Sequence, residues 1–269
     1  MRSVQLAVPL SRRLHTTKRI LQPATSLDTP TTPPIPPTPT HNSLPTFLTY
    51  AQRTSLSPKT TTYVGTHYEY LVLHSLFRLG LHLTRTGGAF DKGIDLLGTW
   101  RLPSLGARTA LKVLVQCKAH SRKVEPKNIR ALEGAFGGAP VGWRGGGTGG
   151  EVGEGKGEDV DANAYVYGKD GGSGGVMALL VTPKEATKGV RDAMGRSRWP
   201  MGFLKVGLDG KIEQLLWNRS AANIGLEGVG VAVRHGPGRV EVEREVVLTW
   251  NGVVWEWEEE ELRRRQELN

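Results

Sequence analysis

The chain has 269 residues, a length that fits one or two domains, and a formal net charge of +9. This excess of basic residues indicates an anionic partner. Cys117 is the only cysteine, which excludes an internal disulfide, and no cluster of cysteine and histidine has zinc-ligand spacing. No apolar run approaches the roughly 18 to 20 residues of a membrane-spanning helix. We therefore expect no membrane span.

The amino-terminal 27 residues are basic and contain no acid. Hydroxyl residues and leucines separate the cations, which are Arg2, Arg12, Arg13, Lys18 and Arg19. This composition is typical of a mitochondrial transit peptide, and the apolar stretches are too short for a secretory signal. The alternative is a basic tail without a targeting role. If residues 1–27 are a transit peptide, the protein is expected in the mitochondrial matrix.

Two low-complexity regions divide the remaining chain. Residues 28–60 are rich in proline, threonine and serine, so we expect an extended linker and an ordered domain that begins near Tyr63. From Gly134 to Gly175, 17 of 42 residues are glycine, which predicts a disordered insertion at about 137–175. The ordered domain is expected over 61–206. Residues 207–269 contain further strands and a charged tail, and they either complete this domain or form an appended unit.

The helix predicted at 64–79 carries an acid on its apolar face. Glu69 lies at the centre of this face. A buried carboxylate needs a cation, a metal or hydrogen-bond donors as partners. A role at a metal and a simple ion pair with an arginine are the two interpretations of Glu69. The face itself consists of Tyr68, Val72, Leu73, Leu76, Phe77 and Leu79.

A strand is predicted at 81–86, and the next strand starts after the glycine-containing turn at 87–93. Ile94 and Leu96 are expected to face inward, with Asp95 on the opposite side. An aspartate at a strand start either stabilises the turn or belongs to a functional site.

The strand predicted at 111–118 has one apolar face and one largely polar face. Gln116 and Lys118 share the second face with Lys112 and Leu114, so they project together from the strand end. The buried face consists of Leu111, Val113, Val115 and Cys117. Cys117 is therefore expected to be a small core residue.

These residues predict a compact charged site made of Glu69, Asp95, Gln116 and Lys118. Such a site suits Mg²⁺ or Mn²⁺, because these ions prefer oxygen ligands. It also suits phosphodiester hydrolysis, in which the metal lowers the pKa of a bound water and a lysine stabilises developing negative charge.

The remaining chain predicts alternating helices and strands. Helices are expected from Pro126 onward and at 183–195, and strands at 176–182, 201–206, 212–217 and 246–250. Several cations near the predicted site are candidate phosphate contacts, with an ordinary basic surface as the alternative. They are Arg85, Lys112, Arg122, Lys123, Lys127 and Arg130.

The order of these motifs resembles the PD-(D/E)xK nuclease superfamily, and most closely its Mrr-like branch of restriction endonucleases, in which glutamine replaces an acid. A longer run contains the motifs Gly65-Thr-His-Tyr-Glu69, Arg85-Thr-Gly-Gly, Asp91-Lys-Gly-Ile-Asp95, Val115-Gln-Cys-Lys118 and Asn128-Ile-Arg-Ala-Leu-Glu-Gly134. With these motifs, the run is similar to a family of fungal mitochondrial proteins required for respiratory growth.

The resemblance implies an α/β fold with a restriction-endonuclease-like core, in which helices flank a mixed central sheet. It implies that Asp95 is a metal ligand, that Gln116 binds the metal through its amide oxygen, and that Lys118 is the catalytic cation. Glu69 would support the metal or its water, and Asp91 and Gly93 would shape the loop.

The implied activity is Mg²⁺-dependent cleavage of DNA, and nucleases of this fold often act as homodimers. Two other functions stay open from the sequence. One is a catalytically weak or inactive nuclease fold that binds mitochondrial nucleic acid, and the other is an assembly protein of the respiratory machinery.

Overall fold

A computed structural model of the chain describes residues 41–86, 93–106, 109–119, 122–139, 143, 175–236 and 243–257. The expected transit peptide, the first part of the expected linker, Asp91, most of the glycine-rich stretch and the charged tail from 258 onward lie outside these residues.

Two helices and three strands come first, two further helices and three strands follow, and a set of three strands ends the described chain. The first half contains α1 (Leu44–Arg53), α2 (Thr61–Phe77), β1 (Leu81–Arg85), β2 (Leu96–Trp100), β3 (Leu111–Cys117) and α3 (Pro126–Gly138). The second half contains β4 (Val176–Thr182), α4 (Lys188–Arg196), β5 (Met201–Val206), β6 (Ile212–Trp217), β7 (Val229–Gly236), β8 (Glu243–Trp250) and β9 (Val253–Val254). Short helical turns at 103–105 and 219–226 connect some of them.

The central sheet has six strands in the order β1-β2-β3-β4-β5-β6. β3, β4 and β5 are parallel to one another, and the other neighbouring pairs are antiparallel. The carboxyl ends of β3, β4 and β5 therefore lie along one edge of the sheet, which we call the carboxyl edge. Since α3 and α4 follow β3 and β4 in the chain, both helices begin at this edge.

Two hydrophobic cores cover the two faces of the sheet. The first core contains Tyr68, Val72 and Leu76 of α2 and also residues of β8 such as Leu248. The second core contains residues of α3 and α4 such as Phe136. The expectation of a mixed sheet flanked by helices is confirmed.

β3 is buried on both faces, which corrects the expectation that its second face is polar. Leu111, Val113 and Val115 belong to the first core, as expected, while Leu114 is fully buried in the second core. Gln116, next along the same face, is only 5% exposed. The parallel neighbour β4 is likewise buried at every residue, which is usual for strands covered by helices on both sides.

α1 corrects the expectation that all of residues 28–60 form a coreless linker. Ser43 caps the helix and accepts a hydrogen bond from the Thr46 backbone N–H. Phe47 and Ala51 pack against Tyr70 of α2 in a third, small core. Order thus begins well before Tyr63, because local proline and threonine content does not reveal the long-range aromatic contacts.

The remaining helices and strands match their predicted boundaries to different degrees. The strands at 176–182, 201–206 and 212–217 and the helix beginning at Pro126 are confirmed. The helix expected at 183–195 starts only at Lys188, where Thr187 caps it. α3 extends to Gly138, so the glycine-rich stretch does not interrupt the fold at Gly134.

Residues 207–254 contribute to both sheets. β6 is the last strand of the central sheet, and β7, β8 and β9 form a second, three-stranded sheet. Val229, Val246 and Leu248 of the second sheet pack into the first core. Within the described part of the chain, no helix is long and apolar enough to cross a membrane.

The packing of α1 predicts a large effect for one of its aromatic residues. Phe47→Ala should lower the free energy of unfolding by about 3 to 5 kcal/mol, because it removes a fully buried ring. Leu48→Ala is the matched control on the same helix, since Leu48 is 41% exposed, and it should cost about 1 kcal/mol or less. Urea denaturation measures both values. Equal losses in the two variants would contradict the packing of α1 against α2.

Candidate functional site

Asp95 is attached to the end of β3 by two hydrogen bonds. Its backbone N–H donates to the Val115 carbonyl oxygen at 2.9 Å, and its carboxylate Oδ2 accepts from the Cys117 N–H at 2.6 Å. The carboxylate therefore lies against the backbone between Gln116 and Lys118. The structure thus brings together three of the four predicted site residues at the carboxyl edge.

The turn that delivers Asp95 depends on Gly93. This residue has a φ of +80°, a backbone conformation that other residues rarely adopt. The expectation that Ile94 and Leu96 share a face is wrong, because Ile94 packs in the second core and Leu96 in the first. β2 begins only at Leu96, so strand alternation does not apply to the turn before it.

Gln116 carries an unusual buried polar atom. Its side-chain Oε1 is buried and has no hydrogen-bond partner among the residues that the structure describes. Leaving such an acceptor unsatisfied costs about 1 to 3 kcal/mol. A buried oxygen without a partner, next in the chain to the Cys117 N–H that binds the Asp95 carboxylate, is a group that a cation would satisfy.

Glu69 reaches the site from α2 and forms an ion pair with Arg85 of β1 through its Oε2 and the arginine Nε. Both side chains are largely buried. Of the two interpretations of Glu69, the structure thus shows the pair with an arginine. Its support of a metal stays a prediction.

Arg85 also contacts residues that were not among the predicted site residues. Its guanidinium carbon lies 5.8 Å from the centre of the Tyr70 ring, and its Nη2 donates to Thr66 Oγ1 at 3.5 Å. The Tyr70 hydroxyl in turn contacts His41 Nδ1 at 2.7 Å. Burial and the nearby Arg85 charge lower the pKa of His41. No local sequence signal links these residues, because His41 and Tyr70 are far apart in the chain.

Cys117 lies among the charges of the site. Its side chain packs against the first core, which confirms its expected role as a small core residue. Burial of the thiol raises the pKa of Cys117, and the negative charges of Asp95 and Glu69 raise it further, while Lys118 acts in the opposite direction. All three charged side chains are therefore near enough to one atom to affect its ionisation.

Lys118 follows the last residue of β3 and remains hydrogen-bonded to the sheet. Its backbone N–H donates to the Val181 carbonyl of β4 at 2.8 Å, and its side chain is half-buried. The positive charge of Lys118 therefore belongs to the end of β3, where the Asp95 carboxylate is also bound.

The donor set fits a hard divalent cation through Asp95 and Gln116. The carboxylate of Asp95 and the unpartnered amide oxygen of Gln116 are both ligands of the kind that Mg²⁺ and Mn²⁺ prefer. Among the described residues, no three His, Cys, Asp or Glu side chains form a metal-binding group. The site therefore offers two protein oxygens in addition to Glu69, and other ligands would be water or substrate.

The predicted phosphate contacts fall into two groups. Arg85 is engaged with Glu69, and Lys112 is half-buried, with its Nζ 6.0 Å from the centre of the Trp143 ring and its pKa lowered by burial. The others are exposed, although Lys127 pairs with Glu125 at 2.7 Å. The exposed group is Arg122, Lys123, Lys127 and Arg130.

The structure therefore defines a mixed α/β protein with a polar cluster at the carboxyl edge of its sheet. A family model described as Required for respiratory growth protein 7 matches residues 60–110 and 105–149. These ranges include all four predicted site residues. The match relates this part of the chain to that family, in agreement with the sequence resemblance.

Several relatives carry mitochondrial names. An uncharacterized mitochondrial protein of Schizosaccharomyces pombe is 33% identical over 102 residues, which cover 38% of this chain and 41% of the relative. The mitochondrial Required for respiratory growth protein 7 of Vanderwaltozyma polyspora is 33% identical, covering 28% of this chain and 46% of the relative. The protein of the same name from Saccharomyces cerevisiae is 28% identical, covering 34% and 54%.

The chain thus spans about half the length of the curated relatives that it matches. No solved structure matches it significantly.

Gly93 offers a test of how closely the turn fits against Gln116. A Cβ at Gly93 would lie 2.8 Å from Gln116 Nε2, whereas a Cβ at Gly252, in the turn between β8 and β9, meets no atom of the described residues within 4 Å. The two glycines have nearly the same positive φ, +80° and +84°, so alanine costs about 1 to 2 kcal/mol in backbone strain at either position. Gly93→Ala should therefore destabilise the protein more than Gly252→Ala in urea denaturation. Equal destabilisation of the two variants would show that the turn at Gly93 does not pack closely against the Gln116 side chain.

Proposed function

We propose that the chain is a mitochondrial, metal-dependent DNA endonuclease with a restriction-endonuclease-like core. The observation that carries this proposal is the position of the Asp95 carboxylate, which lies on the backbone of β3 between Gln116 and Lys118. A carboxylate, an amide oxygen and a lysine at one strand end suit the hydrolysis of a phosphodiester. The family relationship and the mitochondrial names of the relatives support the location.

Each site residue has a task that follows from its charge and surroundings. Asp95 and Gln116 would hold the cation, with Glu69 nearby on α2. Bound Mg²⁺ would supply Lewis acidity toward the phosphate and lower the pKa of a bound water. Lys118 stabilises the negative charge that develops on the phosphate during cleavage. The Cys117 N–H donates to Oδ2 of Asp95 and so holds the carboxylate at the end of β3.

The proposal predicts loss of cleavage in Asp95→Asn. The amide still accepts the hydrogen bond from the Cys117 N–H, so the fold is kept while the ligand charge is removed. Cleavage of supercoiled plasmid by the full chain with Mg²⁺ or Mn²⁺ should fall by about a hundredfold or more. Asp209→Asn is the matched control, because Asp209 is an exposed acid in the turn between β5 and β6, and it should cleave normally.

Lys118→Ala should cause a comparable loss, with Arg244→Ala on the second sheet as its control. Full Mg²⁺-dependent cleavage by the Asp95 and Lys118 variants would show that the activity does not arise at this site.

One observation favours a second function, a nucleic-acid-binding module with weak or no catalysis. Glu69 is paired with Arg85, which neutralises part of the charge that a metal would need. The neutral Gln116 also binds a cation less strongly than a carboxylate. This alternative predicts DNA binding that withstands both chelation and Lys118→Ala, without any cleavage by the wild-type chain.

The affinity for metal provides a test that is separate from cleavage. Gln116→Glu should bind Mn²⁺ about tenfold more tightly, because affinity for hard cations rises with the number of charged ligands. Gln116→Leu keeps the side-chain size, removes the oxygen and should bind Mn²⁺ more weakly. Isothermal titration calorimetry measures both, and urea denaturation in EDTA checks that the variants fold. Identical Mn²⁺ affinities in all three proteins would exclude Gln116 as a ligand.

A further inference from the structure

We propose that four exposed cations beside the site bind the phosphate backbone of the DNA duplex. They are Arg122, Lys123, Lys188 and Arg191, and we call them the basic face. This inference rests on the proposed function, and it adds two residues of α4 that the sequence did not indicate. It also replaces Arg85 and Lys112, which interact within the protein.

Contacts join the two segments that carry these cations. Thr187 Oγ1 donates to the Val124 carbonyl at 3.4 Å, next to Lys123 in the chain. Gly189 is the second residue of α4, and a Cβ on it would lie 3.0 Å from the Pro126 ring. The first turn of α4 therefore abuts the segment that leads into α3, which brings Lys188 close to Lys123.

The basic face lies at the same edge of the sheet as the candidate site. The segment from Lys118 to Glu125 joins the end of β3 to α3, and the segment from Pro183 to Thr187 joins the end of β4 to α4. Both helices therefore start at the carboxyl edge, where Asp95 and Lys118 also lie. A duplex with a phosphate at the site would present its neighbouring phosphates to these helix starts.

No ion pair neutralises the charge of the basic face within the described residues. All four side chains are exposed, and none forms an ion pair there. Of the neighbouring acids, Glu125 pairs with Lys127 and Glu185 with Lys205. Asp192 is exposed and follows Arg191 in α4, but residues one apart on a helix do not face each other. The positive charge is thus available to an anionic partner.

Helix stability does not explain the cations of α4. Lys188 and Arg191 lie in the first turn of the helix, where a positive charge opposes the helix dipole. They are three residues apart, so they project from neighbouring positions of the exposed surface. Contacts to phosphates are independent of base sequence, and the basic face therefore predicts binding without sequence preference.

The test compares two pairs of cations on the same helix. Lys188→Ala with Arg191→Ala removes the α4 part of the basic face. Arg196→Ala with Arg198→Ala is the control, because these exposed residues lie at and just beyond the other end of α4, where Arg196 is about 12 Å along the helix axis from Lys188 and about 7.5 Å from Arg191. Both double variants remove the same charge. A charge-keeping variant, Lys188→Arg with Arg191→Lys, tests whether the charge itself is responsible.

Fluorescence anisotropy of the full chain with a short labelled DNA duplex, in EDTA and over a series of salt concentrations, gives the result. The first pair should weaken binding about tenfold or more and reduce the slope of log affinity against log salt by about 2, since each phosphate contact contributes about 0.9. The control pair should change affinity by about twofold at most, and the charge-keeping variant should bind like wild type.

Equal effects of the two α4 pairs would overturn the basic face. The proposed nuclease function would survive that result if the wild-type chain binds and cleaves DNA. Absence of duplex binding by the wild-type chain would overturn both proposals.

Discussion

The hydrogen bond from the Cys117 N–H to the Asp95 carboxylate is the constraint on which the candidate site depends. It joins the turn before β2 to the end of β3 at the carboxyl edge of the sheet. The same bond places a charged oxygen on the backbone of Cys117, the residue between Gln116 and Lys118. Gly93 makes this possible, because its positive φ lets the chain reverse close to Gln116. Without this contact, Asp95 would be an ordinary aspartate at the start of a strand.

The site keeps polar groups where packing alone would favour apolar ones. The Gln116 oxygen is buried without a partner in the described residues, and Glu69 and Arg85 form a largely buried ion pair. Burying such groups costs stability, and proteins usually accept such costs at functional positions. Tyr70 and His41 extend this network to the segment before α1. α1 therefore does more than precede the domain, because its packing holds the residues that surround Arg85.

The sequence was most informative where a pattern continued over a whole element. The apolar runs of β4, β5 and β6 predicted those strands with their observed bounds.

Prediction failed where long-range contacts override local composition. The aromatic cluster of Phe47, Tyr63 and Tyr70 orders α1 inside a proline-rich stretch, and Ile94 leaves the alternation of β2 because the chain turns at Gly93. β7 was not predicted, because its mixture of glycine, valine and charged residues has a weak propensity for strands. The four site residues were predicted from their residue types and order, whereas the pairing of Glu69 with Arg85 depends on tertiary packing.

The central claim is that the oxygens of Asp95 and Gln116 form one site for a divalent cation at the end of β3. The most direct measurement is anomalous X-ray scattering from crystals of the full chain grown with Mn²⁺. The account predicts an anomalous peak within ligand distance of both oxygens, about 2 to 2.4 Å, and its loss in crystals of the Asp95→Asn variant. Ordered density for both side chains with no peak between them, and the Gln116 oxygen hydrogen-bonded within the protein instead, would contradict it.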